Sequence, residues 1–338
     1  MKKGPWEKVE LNLPDGSQVS AVAPVIISAS RSTDIPAFHS AWLMHRLRDG
    51  YAAWRNPFNQ AVQYISFSRA RVIVFWTKNP APLLPYLQEI EDMGFNFYFQ
   101  FTLNDYVQEN WEPRVPSVEC RVETMADLSE RIGPERIIWR FDPLLLSDKV
   151  TEDLLAQKIE RVGNLVHPYT SKLVFSFADI STYRKVHNNL TNAGVNYFEF
   201  DSASMQRMAE RIVRLNTNWK LELATCAEAA SFEDLGIQHN RCIDGELMLR
   251  LFPDDKKLRN FLMSAQRSLL LDMSGLDSKW QAKFKDTGQR KECGCIMSKD
   301  IGAYNTCAHL CTYCYANTSE RVVMKNFKEY SLGKPCII

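Results

Sequence analysis

From Pro24 onward, short and nearly continuous apolar runs alternate with stretches of helical period. The runs are VIISAS (25–30), AVQYISF (61–67), RVIVFW (71–76), FNFYFQF (95–101), RIIWRF (136–141), KLVFSF (172–177), NYFEF (196–200) and KLELAT (220–225). Rich in Val, Ile, Phe and Tyr, they read as strands buried on both faces of a parallel sheet. Between them, Leu83, Leu87 and Ile90 share a helical face, and Leu155, Ile159 and Val162 share another behind a cap at Thr151. Met205, Met208, Ile212 and Leu215 form a third stripe, with Ser202 and Ser204 as its caps. A last helix is expected within 254–273.

This alternation predicts an α/β fold, a (β/α)8 TIM-like barrel over residues 23–275. The barrel is expected to be imperfect: 61–67 and 71–76 leave no room for a helix between them, so one of the two is not a barrel strand or that unit is irregular. An open doubly wound sheet is the alternative, but no strand is followed by a GxGxxG turn. Ahead of the barrel, residues 1–22 alternate around Pro14-Asp15-Gly16 and predict a hairpin. After it, residues 276–338 hold a polar connection, 278–292, and then a cysteine-rich segment.

Composition changes this picture little. The chain of 338 residues is 45% hydrophobic and 24% charged, which suits a folded globular protein. Its 41 Lys and Arg against 40 Asp and Glu give no overall electrostatic case for nucleic acid or an anionic membrane. The basic start of the chain is not followed by an apolar segment of signal-peptide type, and no apolar run is long enough to span a bilayer, so a cytoplasmic protein without a membrane partner is expected.

In a barrel, chemistry collects where the strands end at their C-terminal mouth. Reading the runs to their ends gives Ser30-Arg31-Ser32-Thr33-Asp34, Thr77-Lys78-Asn79, Thr102 with Asn104 and Asp105, Arg140 with Asp142, Ser176 with Asp179, and Thr225 with Glu228. Arg140 interrupts an apolar run, and a buried guanidinium needs a carboxylate or an anionic ligand. Asp142 is on the same strand face and is a candidate partner. Lys78 could bind a carboxylate, and Asp34 a hydroxyl or a cation. Lys78, Arg140 and Asp142 are thus the catalytic candidates, with Ser30, Arg31, Asp34, Ser176 and Thr225 as candidates for holding a cofactor.

Five of the nine cysteines fall between 293 and 314. Cys307, Cys311 and Cys314 are spaced C-x3-C-x2-C, with Tyr313 just before the last. Three close thiolates can hold three irons of a 4Fe-4S cluster and leave the fourth open to a ligand. Cys293 and Cys295 could supply a further ligand, bind a second metal, or shape the loop as thiols. Cys120, Cys226 and Cys242 read as dispersed buried residues, and Cys336 as incidental or disordered.

The triplet with Tyr313 resembles the C-x3-C-x-aromatic-C signature of radical S-adenosylmethionine enzymes. The longer string NTCAHLCTYCYAN is similar to the CxHxCxYCYA form of the branch related to spore photoproduct lyase. SRSTDIP, FWTKNP, RFDP, CGC and the terminal cysteine string together resemble a bacterial family of uncharacterised function with that layout.

The first resemblance implies that Cys307, Cys311 and Cys314 bind the cluster and that its open iron chelates S-adenosylmethionine. Reductive cleavage would then give a 5'-deoxyadenosyl radical acting on an unknown substrate, with an electron donor such as flavodoxin or ferredoxin. His309 would stand behind the ligands. Nucleic acid is a substrate class that the lyase branch suggests and the net charge does not support. The chain departs from the pattern in placing the cysteine loop after the last strand instead of the first, and Asp244-Gly245-Glu246 only echoes the motif that binds the methionine amino group. Because the last strand of a closed barrel adjoins the first, a returning tail could restore the usual position. The competing expectations are a structural zinc site in a binding or nucleic-acid-associated protein, and an iron–sulfur protein that makes no use of S-adenosylmethionine.

Overall fold

The computed structural model describes residues 6–272, 285–286 and 288–338, and side chains outside 265–272. Residues 273–284 lie outside the described set, and with them the expected boundary at 275/276 and much of the polar connection. The strands are β1 (Glu7–Asn12), β2 (Gln18–Ala23), β3 (Ile26–Ala29), β4 (Tyr51–Arg55), β5 (Val62–Ser66), β6 (Val72–Thr77) and β7 (Asn96–Thr102). They continue with β8 (Ile137–Leu144), β9 (Leu146–Ser147), β10 (Lys172–Phe177), β11 (Tyr197–Phe198), β12 (Glu222–Thr225), β13 (Gln238–His239) and β14 (Lys299–Asp300).

Eight of these form one sheet in the order β13-β12-β10-β8-β7-β6-β3-β14, with every pairing parallel. The fold is therefore α/β with a large parallel sheet. Among the described ladders β13 and β14 are not paired, so the closed barrel expected from the sequence is not what the strand pairing shows. Among the described residues, one backbone hydrogen bond, Ile296 N to Ile243 O at 3.1 Å, joins the stretch after β13 to the stretch before β14. The two edge strands are two residues long, too short to extend a ladder toward each other.

Six of the eight apolar runs belong to this sheet. The run at 61–67 does not: β5 pairs with β2 and β4 in a four-stranded sheet of order β1-β2-β5-β4. This settles which of the two close runs is outside the parallel sheet, and it carries the expected hairpin (β1 antiparallel to β2, turning at Gly16 with φ +83°) into a larger unit. The run at 196–200 contributes only β11, a two-residue ladder with β9. The missing places are taken by β13 and β14, whose brevity gave no apolar run.

Alternating side chains of the parallel strands build two cores. On the helix-covered face lie Phe75, Phe97, Phe99, Phe101, Trp139, Phe141 and Phe175, all fully buried. They pack beneath α1 (Ile35–Phe38), α2 (Ser40–Asp49), α3 (Leu87–Asp92), α4 (Val118–Ile132), α5 (Glu152–Val166), α6 (Arg184–Asn192) and α7 (Ser202–Trp219). Thr151 caps α5 as expected, whereas α7 is capped by Asp201, with Ser204 completing a capping box. The inner face carries Ile26, Val72, Val74, Tyr98, Ile138, Val174 and Ala224, closed at one end by α8 (Gly245–Leu251) and by the start of α9 (Lys256–Asp272). Asp244 caps α8 through its side chain. The last helix, α10 (Glu320–Glu329), precedes a C-terminal stretch tied to α2 and β4: Trp42 Nε1 donates to Lys334 O at 3.0 Å and Ala53 N to Pro335 O at 2.7 Å. The surroundings of Cys336 are therefore ordered, which leaves the reading of that cysteine as incidental and not the reading of it as disordered.

Candidate functional site

Along the inner face, the apolar floor gives way toward the C-terminal strand ends to Trp76, Gln100, Arg140, Ser176 and Cys226, each two residues beyond a floor residue on its own strand. Burial makes an unpaired guanidinium untenable here, and Arg140 is held on all sides. Its Nη2 donates to Asp142 Oδ2, its Nη1 reaches Gln100 Oε1 at 3.3 Å and Cys242 Sγ at 2.9 Å, and the guanidinium lies over the Trp76 ring, 5.4 Å from its centroid. Asp142 also accepts from Ser176 Oγ. Burial raises the Asp142 carboxyl, and the Arg140 guanidinium with the Ser176 hydroxyl overcomes it, so the group is held below its ordinary range.

Lys78 sits at the end of β6 on the same face. Its Nζ donates to Glu112 Oε1 at 2.7 Å and to Tyr313 OH at 3.1 Å. Tyr313 OH in turn donates to Glu112, and Asn104 Nδ2 reaches Glu112 Oε1 at 3.1 Å, Tyr313 OH at 2.9 Å and Asp142 O at 3.0 Å. Burial pushes Lys78 down, but Glu112 and then Cys311 hold it above its ordinary value. Burial pushes Glu112 up, yet Lys78 and Arg121 bring it to about 2. The three catalytic candidates thus belong to one polar network, joined by Asn104, Glu112 and Tyr313. Asn104 stood among the polar strand ends; Glu112 did not, because it lies in an irregular stretch with no apolar run to mark it.

The cysteine loop is seated on this network. β14 lies parallel to β3, and its Asp300 binds four donors: Ser30 Oγ at 2.6 Å, Ser28 Oγ at 3.0 Å, Arg31 N at 2.9 Å and Gly302 N at 2.9 Å. A Cβ at Gly302 would meet Ser30 Oγ at 2.0 Å, so only glycine lets the backbone pass. Beyond it, Thr312 N donates to Trp111 O at 2.8 Å, and Asn189 Nδ2 donates to Cys314 O at 2.9 Å. Asn317 Nδ2 closes the loop onto Cys307 O at 2.8 Å.

Asp34 caps α1 through Ala37 N at 2.9 Å, accepts from Lys78 N at 2.7 Å, and lies 2.9 Å from His309 Nε2. His309 Nδ1 faces Arg114 O at 3.3 Å, so both ring nitrogens have oxygen partners. Ser30, Arg31 and Asp34 therefore join the first parallel strand to the segment carrying the cysteines. Thr225 stands apart: it alternates to the outer face and, with Glu228, Phe232 and His239, lines a separate cavity of about 250 Å³. Burial raises Glu228 there to about 7.

Cys307, Cys311 and Cys314 are half-buried free thiols. Burial pushes all three up, Cys307 to about 12, and the charge of Lys78 opposes this at Cys311 and Cys314. Cys307 is raised further by the charge of Cys314, and Cys311 by the charges of both. Among the described residues no three His, Cys, Asp or Glu side chains stand as a group ready to hold a metal ion. A cube of four irons makes a different demand, since each thiolate binds its own iron and the sulfurs stay spread apart. The donor set, three thiols on one short loop with a cation beside them, fits that group in its chemistry.

A family model described as "Domain of unknown function (DUF1848)" matches residues 26–316. The chain belongs to this family. The matched span begins at β3 and runs through Cys314, so the family unit includes both the parallel sheet and the cysteine loop. No curated protein and no solved structure gives a significant match. Among the described residues, no helix is long and apolar enough to cross a membrane.

Proposed function

We propose that this member of the DUF1848 family is a radical S-adenosylmethionine-type enzyme, with Cys307, Cys311 and Cys314 as ligands of a 4Fe-4S cluster and a substrate still to be identified. The observation that carries the reading is the parallel pairing of β14 with β3. It puts the cysteine loop directly after an edge strand, at the C-terminal ends of the sheet and over the polar inner face. That is the relation between strand and loop that the motif's resemblance implies, reached here from the far end of the chain.

When bound, the reduced cluster would supply one electron to break the sulfonium C5'–S bond of S-adenosylmethionine, releasing methionine and a 5'-deoxyadenosyl radical. The protein's own part is binding, orientation and exclusion of water. Lys78, next to Cys311, favours the thiolate form that cluster ligation needs. Tyr313, pinned by Lys78, Glu112 and Asn104, fixes the loop between its second and third cysteines. Arg140, Asp142 and Ser176 face the same space and offer charged and hydroxyl contacts to a polar substrate. His309 acts through Asp34 as a support, since its ring nitrogens are already engaged. An electron donor such as flavodoxin or ferredoxin would reduce the cluster.

The test is anaerobic purification with iron and sulfide analysis, followed by reduction in the presence of S-adenosylmethionine. About four irons and four sulfides should be assigned to the triplet by their loss in Cys311→Ala. The reduced cluster's electron paramagnetic resonance should change on adding S-adenosylmethionine, and 5'-deoxyadenosine should accumulate. Stoichiometric zinc without iron at the triplet would overturn the cluster, and an unchanged spectrum without 5'-deoxyadenosine would overturn the use of S-adenosylmethionine.

A further inference from the structure

Four other cysteines, far apart in sequence, meet where the two edges of the parallel sheet approach. Cys226 follows β12, Cys242 follows β13, and Cys293 and Cys295 lie just before β14. Cys226 Sγ and Cys242 Sγ are 3.3 Å apart. Cys295 is coupled electrostatically to Cys242 and to Cys293. The reading of Cys226 and Cys242 as dispersed core residues does not describe this arrangement: four thiols from three separate segments form one continuous group. Cys120, by contrast, is exposed on α4.

Cys242, Cys293 and Cys295 border the apolar core of the inner face, and the neighbouring thiols together with burial push Cys242 and Cys295 up to about 11, but the sulfurs also have polar neighbours. Three N–H groups point at the sulfurs: Arg140 Nη1 to Cys242 at 2.9 Å, Asn240 Nδ2 to Cys242 at 3.2 Å, and Ile243 N to Cys295 at 3.3 Å. Two guanidiniums flank them, since Arg31 is coupled electrostatically to Cys295 and Cys242, and Arg140 to Cys242 and Cys226. Both also lie over the Trp76 ring, at 5.1 and 5.4 Å. Arg31 Nη2 is buried without a hydrogen-bond partner among the described residues. Four thiolates around a divalent ion, or around a cluster of charge +2, carry a net charge of about −2, which the two guanidiniums offset in part, since Arg140 is also paired with Asp142 and Arg31 with Asp286. N–H donors to ligating sulfur are the usual outer support of such centres.

We propose that Cys226, Cys242, Cys293 and Cys295 form a second, four-thiolate soft-metal centre, separate from the Cys307, Cys311 and Cys314 triplet. The sulfurs do not surround one point as they stand. Binding therefore requires rotation about their side-chain bonds, with Cys226 and Cys242, now 3.3 Å apart, separating to the spacing of two ligands on one metal. The centre would tie β12, the stretch after β13 and the stretch before β14 together, fastening the seam that backbone pairing leaves nearly open. Zinc and an iron–sulfur cluster share this ligand chemistry, and the metal content separates them.

The experiment is anaerobic purification of wild type, Cys311→Ala, Cys242→Ser and Cys295→Ser, with zinc, iron and sulfide measured on each. Cys311→Ala should retain one centre per chain, as zinc alone or as iron with sulfide, whatever becomes of the triplet. Cys242→Ser and Cys295→Ser should each lose that centre. Should either serine variant fail to fold, alkylation of the folded wild type decides: Cys226 should resist a maleimide until a chelator is added. Absence of stoichiometric metal from Cys311→Ala, retention of full metal by the folded serine variants, immediate alkylation of Cys226, or a Cys226–Cys242 disulfide in the anaerobic protein would each overturn the proposal. None of these outcomes depends on whether the triplet uses S-adenosylmethionine.

Discussion

Glu112 is buried between two cations, and its charge is part of the seat of the cysteine loop. Its pKa of about 2 lies below the ordinary value of 4.5, so the folded state binds its proton more weakly than the unfolded chain. The stabilisation is present above pH 4.5 and is lost as the pH falls toward 2. Its size is on the order of 3 kcal/mol. Glu228 runs the other way: with a folded pKa raised to about 7, its contribution is fullest below 4.5 and declines as the pH rises to 7. Chemical unfolding followed from pH 3 to 8 should therefore show Glu112→Gln flattening the acid limb and Glu228→Gln flattening the decline between 4.5 and 7. Lys78→Met should cost about 3 kcal/mol, because it leaves Glu112 buried with one cation fewer, and adding Glu112→Gln should recover part of that loss. A double-mutant cycle by urea unfolding measures the recovery. Lys78, Arg140 and Asp142 were legible because a charge inside or at the end of an apolar run is conspicuous. Glu112 was not, since it lies in an irregular stretch and two of its partners, Lys78 and Tyr313, come from 34 and 201 residues away in the chain.

At the scale of the element, the apolar period located long buried strands and helices and missed the short ones. β14 spans two residues, and its place in the sheet is fixed by the four donors to Asp300 more than by apolar area. Such a strand has no period to read. The same limit explains β13, while the misassigned run at 61–67 shows that an apolar stretch does not name the sheet it joins. Gly302→Ala should displace β14, since its Cβ would strike Ser30 at both Oγ and Cβ. Limited proteolysis should then cut the C-terminal segment faster, and iron loading at the triplet should fall several-fold. Gly163, in α5, faces the Trp219 ring of α7 so closely that a Cβ would come within 2.2 Å. Gly163→Ala should cost about 1–3 kcal/mol in thermal or urea unfolding without altering metal content, because the clash lies on the helix face away from the cysteines.

For the whole molecule, the parallel sheet and the helical layer were readable, because they follow from strand composition and from the apolar period of the helices. Closure was not. It depends on a few backbone bonds between irregular segments, and the bond from Ile296 to Ile243, the one found there among the described residues, is a weak link beside the eight-stranded ladder. The meeting of Cys226 and Cys242 with Cys293 and Cys295 is likewise a product of that three-dimensional seam. No spacing rule reaches across such distances.

The pairing of β14 with β3 joins Ser28 to Asp300 across 272 residues. During synthesis, the first parallel strand must leave the ribosome and wait with one edge bare until nearly the whole chain has followed. Contacts of this separation form slowly, and an uncovered strand edge invites pairing with other chains. The cysteine loop emerges later still. On the proposed function, metal for Cys307, Cys311 and Cys314 would therefore reach a chain in which the strands from β3 to β13 have already been made.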